Sequence, residues 1–107
     1  MTSFELIAAF RTLSFPVRFD HIEQDDTEPF AVYTFSVSPM SADNSAYIKL
    51  FDFTFRLFVD KLDAAIDEEI ETFFRDREIV WTRDEPQYYE ESALYEIDYN
   101  FGIVASE

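Results

Sequence analysis

The longest regular pattern in the chain is an alternation running from Tyr47 to Val59. Lys49, Phe51, Phe53, Phe55, Leu57 and Val59 fall on one side of a two-residue period, and Ile48, Leu50, Asp52, Thr54, Arg56 and Phe58 on the other. Successive side chains of a strand point to opposite faces, so the pattern predicts a central strand with one apolar face. Its second face is apolar only at its ends, at Ile48, Leu50 and Phe58, which hints at a contact beyond the domain's own core. A shorter alternation after Pro29 predicts a strand over Phe30 to Val37, with Ala31, Tyr33, Phe35 and Val37 toward the core. Val17 to Phe19 reads as a short extended piece and Ile79 to Arg83 as a short strand. After the turn Asp84-Glu85-Pro86, Ser92 to Val104 reads as a closing strand with Tyr95, Ile97, Tyr99, Phe101 and Ile103 on one face.

Two stretches change period. Leu6, Ile7, Phe10 and Leu13 recur at helical spacing behind Thr2 or Ser3 as N-cap, and Pro16 ends that helix. Between about Leu62 and Asp76, Leu62, Ala65, Ile66, Ile70, Phe73 and Phe74 form one stripe, with Asp60 in position to cap and Asp67, Glu68, Glu69 and Glu71 opposite. The element order is α-β-β-β-α-β-β, without the alternation of a doubly wound parallel sheet. It predicts one α+β domain over residues 1–107, with an antiparallel or mixed sheet and two helices packed on one face.

Composition sharpens the picture in two ways. The chain carries 8 Lys+Arg against 23 Asp+Glu, a formal net charge of −15, while 48% of its residues are hydrophobic. Such a chain folds, but as a polyanion with no direct affinity for nucleic acid or an anionic membrane. It also holds 13 Phe, 6 Tyr and one Trp beside a single Gly. Each aromatic side chain buries about 150–250 Å², more in sum than one small core readily encloses, so some of them are expected at a partner. Cysteine is absent, which excludes a disulfide framework and a thiolate site. Met1 to Leu13 lacks the basic start and apolar run of a signal peptide, and a soluble cytoplasmic protein is expected.

Candidate chemistry is thin. His21 sits between Asp20 and Glu23, which could orient it as a base; the plainer reading is a loop residue that ties turns together. Glu23, Asp25, Asp26 and Glu28 resemble a calcium loop in composition but lack its glycine turn and distal bidentate Glu, and read as a solvated charge run. Asp63 and Asp67 stand one helical turn apart on what reads as a solvent face, where Arg75 would pair with Glu71. Tyr88-Tyr89 and Trp81 could stack bases or sugars, but core or subunit packing is the default. With Gly102 as the one glycine, no phosphate-cradling loop can be built, and Gly102 itself reads as a bulge or a close backbone approach. No enzyme activity and no cofactor are expected.

Several segments carry a resemblance: Leu13-Ser14-Phe15-Pro16-Val17, Phe19-Asp20-His21-Ile22-Glu23, Pro29-Phe30-Ala31-Val32-Tyr33, Ala42-Asp43-Asn44, Val59-Asp60-Lys61 and Leu94-Tyr95-Glu96-Ile97-Asp98-Tyr99. Together they resemble the small head–tail joining and tail terminator (tail-completion) proteins of long-tailed phages and prophages. The resemblance implies a structural virion component whose copies form a ring, commonly sixfold, between tail tube and head connector, located in the virion or in the host cytoplasm during assembly. An acidic lumen would suit such a ring, since like charge keeps DNA from sticking. The contact surface is expected at Asp43, Asn44, Ile48, Leu50 and Phe58. The competing expectation is an acidic binding module that mimics nucleic acid and inhibits a basic enzyme; a third, a small hydrolase or isomerase, requires a pocket with paired acids.

Overall fold

The computed structural model describes residues 1–23, 26–40 and 48–106. Helix α1 (Ser3–Ala9) starts in a capping box: the Glu5 amide donates to Thr2 Oγ1 at 3.1 Å and the Thr2 amide to Glu5 Oε1 at 3.0 Å. It tightens into a 3₁₀ turn at Phe10–Thr12, earlier than the helix expected through Leu13. Strands β1 (Val17–Phe19), β2 (Phe30–Pro39) and β3 (Ile48–Val59) follow, then α2 (Ala64–Asp76), β4 (Trp81–Arg83), β5 (Gln87–Tyr89) and β6 (Leu94–Ser106). The α+β architecture is the one the periodicities predict, with one strand more: β5 is three exposed residues whose only signal was the Tyr88-Tyr89 pair.

The sheet is mixed, in the order β1-β2-β3-β6-β4, with β5 also on the outer edge of β6. Strand β1 runs parallel to β2, and every other pairing is antiparallel. The long central strand packs its Phe51, Phe53, Phe55 and Leu57 row into a core shared with Leu6, Phe10, Leu13 and Phe15 from the first helical segment and Ile70, Phe73 and Phe74 from α2. Both helices therefore cover the same face.

Polar contacts fix α2 on that face. Its cap is Asp63, which accepts from the Ala65 amide at 2.9 Å, three residues beyond the expected Asp60, because Asp60 to Leu62 are spent leaving β3. Asp63 and Asp67 are thus not a solvent-facing pair. Asp67 accepts from the buried Tyr99 hydroxyl and, at 3.2 and 3.0 Å, from Arg83, so it joins α2 to β4 and β6. Arg75 reaches back to Glu68 at 2.8 Å rather than to the expected Glu71. Glu69 accepts from the Ser14 amide and hydroxyl at 2.7 and 2.6 Å, anchoring the first loop to the helix.

Helix α2 ends in a Schellman motif without glycine. The Ile79 amide donates to the Phe74 carbonyl and the Glu78 amide to the Arg75 carbonyl, while Glu78 stands at φ 57°. A side chain in the left-handed region is strained, and this site normally takes glycine. Glu78→Gly is therefore expected to raise stability by about 0.5–1 kcal/mol, read as a higher urea midpoint. A lower midpoint would mean that the Glu78 side chain supplies more than its backbone costs.

Candidate assembly surface

The face of the sheet turned away from the helices is built by the other half of each alternation. Paired register sets it out in rows: Phe30, Phe58 and Glu96; Val32, Arg56 and Asp98; Thr34, Thr54 and Asn100; Ser36, Asp52 and Gly102; Ser38, Leu50 and Val104; then Ile48 and Ser106. The rows divide into two apolar ends and a polar belt.

At one end Phe30 and Phe58 stack with ring centroids 5.1 Å apart and, with Val32 and Leu94, form a small second core. Phe58 was expected on an exposed face; it is 8% exposed, because Phe30 lies over it from the neighbouring strand. At the other end Ile48, Val104 and, on the opposite side of the sheet, Val37 are exposed, at 39%, 54% and 48%. Leu50 between them is half-buried. Asp43 and Asn44, expected in the same contact, lie outside the described residues. Ile48 and Leu50 thus share an end of the face, and Phe58 belongs to the far end.

The Ile48 end is also bare at its edges. Strand β1 reaches only Ala31 to Tyr33 of β2, and β4 reaches only as far as Phe101 of β6. Beyond them the outer backbone edges of residues 34–39 and 102–106 have no strand beside them among the described residues. Gly102 sits there in unbroken register with Asp52, so it makes no bulge. A Cβ at that position would lie 3.3 Å from both Asp52 Oδ1 and Leu50 Cδ1, which is the close approach that the glycine permits.

The belt holds the strongest electrostatics. Arg56 Nε lies 3.8 Å from Glu96 and 4.0 Å from Asp98. One Asp98 oxygen is buried without a hydrogen-bond partner. Burial first, then the Glu96 carboxyl beside it, push the Asp98 carboxyl up to about 7 against the pull of Arg56. Farther along, Thr54 donates to Asn100 at 3.1 Å and Asn100 to Asp84 at 3.3 Å. Asp98 was not a candidate from the sequence: its signal is a carboxylate on the inner strand of a sheet, visible only once β6 is known to be flanked on both sides.

The remaining candidates fall elsewhere. His21 lies 3.2 Å from Glu23 and 3.8 Å from Asp20 with 68% of its side chain exposed, the position of a loop tie. In the acidic loop, Asp26 accepts from Arg18 at 2.5 Å and from the Glu23 amide at 2.8 Å. Among the described residues no three His, Asp or Glu side chains group so as to hold a metal ion. No described helix is long and apolar enough to cross a membrane. Compared with models of known protein families the chain matches none, and no curated protein gives a significant match.

Proposed function

We propose that this chain is a structural component of a long-tailed phage or prophage virion, a tail terminator or head–tail joining subunit that assembles into a ring at the tail–neck junction. The observation that carries this reading is one end of the sheet, where two strand edges that are unpaired among the described residues flank the exposed apolar side chains of Val37, Ile48 and Val104. An uncovered edge with apolar neighbours is a surface that a monomer normally blunts or hides, and here a partner would cover it. A contact between two different patches on successive copies closes into a ring when the rotation allows. The copies would meet the tail tube protein on one side and the head connector on the other. The net charge of −15 gives such a ring a lumen that repels DNA, and the chain needs no catalytic group for this role.

Native mass spectrometry over a concentration series, with negative-stain imaging of the assembled fraction, tests the reading. A closed ring is expected, alone or templated by purified tail tubes. Leu50→Glu combined with Val104→Glu is expected to leave a folded monomer in both settings. A chain that stays monomeric with and without tail tubes, or a double variant that still closes, would overturn it.

A further inference from the structure

At the end of the open face far from the bare edges, a groove of about 600 Å³ opens between the β5–β6 hairpin and the loop after β1. Ile22, Phe58, Tyr88 and Tyr89 supply its apolar lining, and Glu90, Glu91 and Glu96 its carboxylates. Ile22 is 51% exposed and Tyr89 41%. Apolar surface ringed by carboxylates has one natural complement, a side chain that is flat, cationic and aliphatic along its stem. Arginine fits on each count: its guanidinium stacks on a phenol ring, its fork meets carboxylates in pairs, and its stem tolerates apolar contact.

A second copy is poorly placed to supply that cation. Of its six arginines, Arg18, Arg56, Arg75, Arg77 and Arg83 are already engaged inside the chain, by Asp26, by Glu96 and Asp98, by Glu68, by the Phe73 carbonyl and ring, and by Asp67, which leaves the exposed Arg11 beside two lysines, Lys49 and Lys61. We infer that the groove docks an arginine-bearing segment of a different, basic protein, with the guanidinium stacked on Tyr89 and paired to the exposed Glu90 or Glu91. The groove is separate from the bare sheet end, so this inference does not rest on the ring.

The test is fluorescence anisotropy with an acetylated, fluorescein-labelled peptide of three alternating arginine–leucine pairs, titrated with the full chain. Binding is expected, at least fivefold weaker for Tyr89→Ala and for the double variant Glu90→Gln, Glu91→Gln, and within twofold of the parent for Tyr89→Phe. The charge-matched control Asp60→Asn, Asp76→Asn is expected to stay within twofold, with all variants checked for an unchanged circular dichroism melt. No binding, equal weakening by the two double variants, or equal binding of a lysine–serine peptide overturns the inference, the last two by reducing it to general attraction toward a polyanion. Native mass spectra of the groove variants complete the test: loss of the ring in them would make a second copy the occupant and overturn it as well. The Leu50→Glu, Val104→Glu chain should bind peptide normally, which separates failure here from failure of the ring.

Discussion

Replacing Phe74 with alanine is expected to cost about 3–5 kcal/mol, a large share of a total stability of the order of 5–15 kcal/mol. Phe74 is fully buried, and its ring meets Phe101 at 4.8 Å, Trp81 at 5.5 Å, Phe73 at 5.8 Å, Tyr99 at 6.0 Å and Phe55 at 6.3 Å. These partners come from β3, β4, β6 and α2, so the side chain locks the second helix onto the sheet. Most are too rigid to relax into the hole that alanine would leave. Urea denaturation followed by near-ultraviolet circular dichroism reads the effect, and Phe4→Ala, at a side chain 75% exposed, is the control expected to stay within about 0.5 kcal/mol. A loss under about 1 kcal/mol at Phe74 would mean that α2 is not seated on the sheet as described.

The second large effect is one of pH. The Asp98 carboxyl, raised to about 7 by burial and by Glu96, holds its proton in the folded chain over a range where the unfolded chain has lost it. Its contribution is therefore fully present below the ordinary carboxyl value of about 3.9 and is lost as pH rises to about 7. The full shift would correspond to about 4 kcal/mol, and partial exposure of the side chain brings the expected loss to about 2 kcal/mol. Asp98→Asn removes this dependence. Relative to the parent, the variant should gain about 2 kcal/mol between pH 4 and pH 8, measured as the change in the difference of their urea-unfolding free energies. Parallel pH profiles for the two chains would show that Arg56 keeps Asp98 ionised throughout.

The fold was legible wherever a two-residue or helical period ran long enough to be unambiguous. The Phe51-Phe53-Phe55-Leu57 row and the Ile70-Phe73-Phe74 stripe each specify an element and its buried side without outside help. What stayed hidden depends on contacts between distant segments. Asp67 looks like any acid on a helix until Arg83 and Tyr99 arrive from two strands. Strand β5 has no period of its own and exists because the hairpin returns it to β6. The candidate surface was half visible for the same reason. Ile48 and Leu50 stand out on a polar face, but that Phe58 is roofed by Phe30 while Ile48 is not depends on how far β1 and β2 reach. The groove joins Ile22 to Glu91 across most of the chain, and no spacing rule links them.

Glycine's scarcity has a consequence for the unfolded chain. A typical sequence of this length would hold about seven glycines, each adding roughly 0.5–1 kcal/mol of backbone disorder that folding must overcome relative to alanine. One glycine instead lowers that cost by about 3–6 kcal/mol. Part of the gain is returned at Asp20, Glu78 and Ala93, which take left-handed backbone positions at roughly 1 kcal/mol each. The remainder lowers the buried area the domain needs: a chain with less disorder to overcome holds itself together with a smaller covered sheet, and among the described residues the outer edges at 34–39 and 102–106 stand without a strand beside them.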